Sequence, residues 1–94
     1  MLVEQSLLMV KPGMEEAFET AMQDDGLPLL RGLVGVQAVR FGRGVEHPDK
    51  FILLIEWASM DDHVAFTTTP QFAEFRRLLA PYTAGGSMEH FRMQ

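Results

Sequence analysis

Phe51-Ile52-Leu53-Leu54-Ile55-Glu56-Trp57 is the stretch that decides how this chain folds. It reads as a strand over residues 51–58, with Phe51, Leu53, Ile55 and Trp57 on one face and Ile52 and Leu54 on the other. Apolar residues on both faces require both faces to be covered. Ser59 follows as a helix N-cap, and Asp62 three residues on completes a capping-box pattern with Asp in place of Glu. A short helix is expected to about Thr67. Thr69-Pro70 restarts a helix, a cap residue followed by proline in the first turn. Its face carries Phe72, Phe75 and Leu79. Pro81 and Gly85-Gly86 are expected to end it, and a final strand over Ser87–Met93 carries Glu89-His90-Phe91.

Upstream of the deciding run, Leu2–Val10 reads as a strand. Val3, Gln5, Leu7 and Met9 share one face, and Glu4, Ser6, Leu8 and Val10 share the other. Lys11-Pro12-Gly13 signals a turn. Met14–Asp25 reads as an amphipathic helix with Met14, Ala17, Phe18, Ala21 and Met22 in one stripe, ended by Gly26. Pro28 opens a short helical turn within Leu27–Leu33. Val34–Arg43 is the second strand, with Val34, Val36 and Ala38 alternating against Gln37, and Gly42, Gly44, His47 and Pro48 form a connection like a hairpin.

The order is therefore β-α-β-β-α-β. This is a ferredoxin-like α+β arrangement, a four-stranded antiparallel sheet with helices on one face. Helices on one face leave the second face of the deciding strand uncovered. The simplest cover is the same face of another copy, giving a two-fold dimer.

Composition bounds the function. The 94 residues suit one domain spanning 1–94, 47% are hydrophobic, and the formal charge is −5. The acidic residues are dispersed and Lys/Arg are not clustered, which argues against nucleic acid as a partner. No apolar run reaches the roughly 20 residues of a membrane helix. No secretory signal pattern is visible, and the expected location is the cytoplasm. The chain has no cysteine, so disulfides, thiolate nucleophiles and cysteine metal ligands are excluded. The three histidines show no close ligand spacing, so no metal site is expected.

Lys11-Pro12-Gly13 before an Ala/Phe-rich helix, Gly32 and Gly35, the run Phe51–Trp57, then Ser59, His63, Phe66, Pro70-Gln71-Phe72, Phe75 and Glu89-His90-Phe91 together resemble the antibiotic biosynthesis monooxygenase family. That family is a branch of the dimeric α+β barrel superfamily. The resemblance spans nearly the whole chain. It implies a homodimer whose sheets pack into a barrel, a pocket between sheet and helices, and cofactor-independent oxygenation of an aromatic, phenolic or quinone-like molecule by O₂. Relatives also include haem-degrading enzymes and isomerases, so the family does not fix one reaction. Aligned from Trp57, the positions of haem-degrading relatives fall on Gln5 or Ser6, Phe66 and Arg76. An arginine cannot supply the neutral imidazole that iron needs, so no haem and no other cofactor is expected.

The candidate residues follow. His63 or His90 is the expected base, able to take a phenolic or α-carbonyl proton near neutral pH. Trp57 offers a stacking ring and an N–H donor, or else fills the core. Arg40, a charge within strand two, is a candidate oxyanion partner, the alternative being an ion pair with Glu4 or Glu56. Gln5, Phe66, Phe72 and Arg76 complete the expected substrate-binding set. Two other readings remain open: a dimeric ligand-binding or stress-related module without chemistry, and a non-oxidative isomerase using the same histidines.

Overall fold

The computed structural model describes residues 1–94. It places β1 (Leu2–Val10), α1 (Glu15–Ala21), a π-helical turn (Met22–Gly26), α2 (Leu27–Arg31), β2 (Val36–Arg43), β3 (Lys50–Trp57), α3 (Met60–Phe66), α4 (Pro70–Leu79) and β4 (Thr83–Arg92) in that order. The strands form one sheet in the order β2-β3-β1-β4, and every neighbouring pair is antiparallel. This is the ferredoxin-like α+β architecture expected from the sequence.

The face of β3 that carries Phe51, Leu53, Ile55 and Trp57 is buried beneath the helices. Phe18 of α1 sits edge-on to Phe51 with ring centroids 5.0 Å apart, and Phe41 stacks on Phe51 at 5.5 Å. At the Trp57 end of β3 the rings are Trp57, Phe66 and Phe72, with centroids 5.9 Å and 5.2 Å apart in turn. The opposite face of the sheet, with Val3, Gln5 and Leu7 of β1 and Ile52, Leu54 and Glu56 of β3, is half-buried. No helix of this chain lies over it.

Several expectations need correction. Gly26 does not end a helix. The backbone remains right-handed helical through it, and the Leu27 N–H donates to the Met22 carbonyl. A proline at 28 cannot donate to the helix ladder and crowds the preceding turn, and the wider π turn just before it accommodates that ring. The glycine serves a close approach, because a Cβ there would stand 2.7 Å from Met22 Sδ. Ala17, expected in the apolar stripe, is exposed, whereas Phe18 and Met22 are fully buried.

β2 begins at Val36, two residues later than expected, and carries a bulge between Val36 and Ala38. Val36 opposes Trp57, Ala38 opposes Glu56, and Val39 opposes Ile55. The bulge therefore puts Val36 and Ala38 on opposite faces instead of one. β4 begins at Thr83, so Gly85 and Gly86 lie inside a strand and do not end α4. A side chain at Gly86 would collide with the Leu7 carbonyl oxygen, so glycine permits β4 to approach β1 there.

Candidate functional site

β1 is the central partner of both β3 and β4, and its register places the site. Leu2 opposes Trp57 on β3, and Glu4 opposes His90 on β4. Alternation then turns Glu4 and Ser6 toward the helices, where both are buried. His63 is delivered from above by α3. That helix starts at Ser59, whose extended backbone and side chain cap it: the Asp62 N–H donates to Ser59 Oγ at 3.2 Å, and Ser59 Oγ donates to Asp62 Oδ2 at 3.1 Å. The cap seats the short helix so that His63, one turn on, enters the core.

These elements converge on the Glu4 carboxylate, which is only 6% exposed. Trp57 Nε1–H donates to Oε1 at 3.0 Å, and Ser6 Oγ donates to Oε2 at 2.7 Å. His63 Nδ1 lies 3.3 Å and His90 Nε2 3.7 Å from the same Oε1. Both of those nitrogens are buried and neither completes a hydrogen bond. The imidazoles adjoin, with centroids 4.3 Å apart, and Trp57 meets His63 edge-on at 5.3 Å. A buried carboxylate is costly unless hydrogen-bonded, and two donors meet that need, one on each oxygen.

Burial is the largest influence on His63 and pushes its pKa below the ordinary imidazole value. The Glu4 charge pulls upward against it, and His90 pushes down. His63 is therefore neutral near pH 7. With Nδ1 turned toward the carboxylate, the other ring nitrogen is left as a proton acceptor.

The structure joins three of the expected residues, Trp57, His63 and His90, and adds two that the sequence reading did not select, Glu4 and Ser6. Phe66 and Phe72 extend the same layer outward, and the Arg76 guanidinium lies 5.7 Å from the Phe72 ring centroid at the exposed end. Gln5 and Arg40 are not part of this cluster. Both line a hollow of about 600 Å³ on the open sheet face, with Val3, Ala38, Leu54, Glu56 and Phe91. Arg40 makes no ion pair with Glu4, which points through the sheet to the other side, nor with Glu56, which lines the same hollow.

Two of the three histidines, His63 and His90, are grouped after all, since α3 and β4 bring together residues that lie far apart in the sequence. Alternation places Glu4 and Ser6 on one face of β1, and that pairing was the available signal: an acid and a hydroxyl on the face shared with Val10. The face with Val3, Leu7 and Met9 looked more apolar, but it is the open one.

A hollow of about 530 Å³ between α2 and the α3–α4 corner has Phe66, Leu33 and Asp62 in its wall and does not include the carboxylate cluster. A shallower, more open depression of about 340 Å³ runs along β1 and β4 and reaches Ser6 and Met88. The His90 side chain is 18% exposed. Of the cluster's two imidazoles, that of His90 is therefore the more exposed.

The family model for antibiotic biosynthesis monooxygenase matches residues 1–78. The chain belongs to the antibiotic biosynthesis monooxygenase family. Glu4, Trp57 and His63 lie within the matched residues, and His90 lies beyond them. A Bacillus subtilis protein, the uncharacterized YczJ, is 31% identical over 94 residues, covering 98% of each chain. A solved structure from Bordetella bronchiseptica, provisionally assigned to the antibiotic biosynthesis monooxygenases, superposes with a TM-score of 0.91 at 27% identity, covering 99% of this chain and 96% of its own. One from Nitrosomonas europaea, provisionally assigned to the same group, has a TM-score of 0.80 at 20% identity, covering 99% and 98%; that likeness speaks to the fold alone. No helix is long and apolar enough to cross a membrane.

Proposed function

We propose that this member of the family is a monooxygenase acting on a small aromatic, phenolic or quinone-like molecule, with His63 as the base. One observation carries the reading: a neutral, buried imidazole whose Nδ1 stands 3.3 Å from a buried carboxylate, itself held by the indole of Trp57 at 3.0 Å. Glu4 fixes the tautomer and balances the imidazolium that forms when His63 takes a proton. His90, beside it and more exposed, is the second group able to move a proton.

The reaction needs no reductant other than the substrate. His63 removes a proton from an activated CH₂ flanked by aromatic or carbonyl groups. The carbanion adds to O₂, and protonation gives a hydroperoxide. Loss of water from that hydroperoxide leaves a carbonyl, so CH₂ and O₂ become C=O and H₂O. Phe66, in the wall of the 530 Å³ hollow, offers apolar surface that suits an aromatic substrate, while the buried Trp57 acts through Glu4, whose carboxylate it holds.

The open sheet face supports a homodimer in which a second copy covers Leu54, Ile52 and Val3. Gln5 and Arg40 then belong to the space between the two sheets and not to the site around His63.

Oxygen uptake with anthrone-type and hydroquinone substrates tests the reading. Substrate-dependent uptake that falls roughly 10²–10⁴-fold in His63→Ala, the usual contribution of a general base, is the expected result. Uptake no higher than background across the panel, or unaltered in that variant, overturns it.

A further inference from the structure

We propose that Glu4, His63 and His90 form a binding site for a divalent transition-metal ion of the zinc class. The inference goes beyond the oxygenase reading and describes an alternative state of the same residues: an ion on His63 Nδ1 leaves the proton on the other ring nitrogen, so the loaded site is not the base proposed above. Glu4 Oε1, His63 Nδ1 and His90 Nε2 belong to a group whose ligand atoms all lie within 4.8 Å of one another. Two of the edges are 3.3 Å and 3.7 Å. Ligands bound tetrahedrally at about 2.0–2.2 Å from one ion are roughly 3.3–3.6 Å apart. The observed edges bracket that spacing, and no edge of the group exceeds 4.8 Å.

A second, independent observation points the same way. His63 Nδ1 and His90 Nε2 are buried atoms with no hydrogen-bond partner, His63 is only 8% exposed, and both nitrogens converge on one carboxylate oxygen. Two unpartnered buried nitrogens are expensive for a purely structural arrangement, and an ion between them would satisfy both.

The surroundings of the carboxylate suit this role. Trp57 and Ser6 each donate to one oxygen of Glu4, the kind of outer contact that fixes a ligand's orientation. Oε1 retains a second lone pair for an ion. Imidazole and carboxylate without thiolate favour zinc, cobalt(II) and similar ions over magnesium or calcium, which prefer sets made of oxygens. Three protein ligands would leave a fourth coordination position open.

Chelator-treated protein titrated with Zn²⁺ by calorimetry, and with Co²⁺ by visible absorption, tests the proposal. Expected are a single saturable ion per chain, the absorption of a low-symmetry cobalt site, and no comparable binding of Mg²⁺. Affinity falls roughly 100-fold or more in Glu4→Gln and His90→Ala, and about 10–100-fold in Ser6→Ala, which removes an outer contact. His90 is on an edge strand and half-buried, so its variant keeps the proposal testable if Glu4→Gln does not fold; circular dichroism checks this. The absence of saturable Zn²⁺ binding, or binding unaltered in folded His90→Ala, overturns it. Oxygen uptake is not a readout here, so the metal proposal and the oxygenase reading fail separately.

Discussion

The indole N–H of Trp57, at the end of β3, donates to the carboxylate of Glu4, at the start of β1, across 3.0 Å in the buried interior. The bond links the largest ring of the core to its one buried acid, and it holds the oxygen that both histidines face. It explains why a glutamate is stable at a position where the rest of the layer is apolar.

That bond and its companion from Ser6 should be measurable in stability. Ser6→Ala removes one donor with little change of volume, and about 1–3 kcal/mol is expected to be lost. Trp57→Phe removes the other donor and also leaves space, so about 2–4 kcal/mol is expected. Urea denaturation followed by circular dichroism gives both values. A Ser6→Ala midpoint equal to that of the parent would mean that the Glu4 oxygens do not depend on these donors.

A pH dependence follows from His63. Its folded pKa is held below the ordinary value, by burial foremost, with Glu4 opposing and His90 reinforcing. Below about pH 6.5 the unfolded chain takes up a proton on this residue before the folded chain does. Stability from this group is therefore full above about 6.5 and declines as the pH falls toward the lower folded value. Urea midpoints of the metal-free protein should drop between about pH 7.5 and pH 5.5, and His63→Gln should flatten that part of the profile. An equal drop in the variant would assign the effect to other groups.

Glu4 raises the His63 pKa through its charge, so Glu4→Gln should lower it further. Proton-detected NMR titration of the imidazole in chelator-treated protein reads this directly. A pKa that stays put or moves upward in Glu4→Gln would show that the carboxylate and imidazole do not interact as the 3.3 Å separation implies.

The sequence was most legible where one physical signal acted alone. Leu2–Val10 is observed with the expected bounds, and the strand expected over 51–58 is observed as Lys50–Trp57, one residue earlier at each end. Ser59 and Thr69 both cap helices through their side chains. Legibility failed where a glycine served close packing and not a break. Gly26 yields to Met22, and Gly86 yields to the Leu7 carbonyl, and neither contact can be read locally. The site failed for a similar reason. His63 and His90 were selected singly, but Glu4 is defined by tertiary partners on β3, α3 and β4, none adjacent to it in the chain.

Gly35 is a glycine whose role is sharper still. Its φ is +86°, and an added Cβ would stand 2.5 Å from atoms of the Asp62 side chain. Its carbonyl accepts from the Ala58 N–H at 2.7 Å. Gly35→Ala combines backbone strain with a clash against Asp62, the partner of the Ser59 cap of α3, and about 1–3 kcal/mol of destabilisation is expected. Because α3 carries His63, oxygen uptake should fall as well. Normal stability in this variant would mean that Asp62 moves aside freely.

The open sheet face yields the last prediction. Leu54 is half-buried within a single chain, flanked by Arg40 across the β2–β3 pair and Gln5 across the β1–β3 pair. Half-buried apolar residues along a sheet face that no helix covers favour association with another such face. Sedimentation at micromolar concentration should give twice the chain mass for the parent protein. Leu54→Glu would place a charge within such an apolar contact, so this variant should sediment as a monomer. A parent that is monomeric, or a Leu54→Glu variant that remains a dimer, would move the interface away from this face. Arg40 and Gln5 would then be free to face solvent, and the hollow they line would need another explanation.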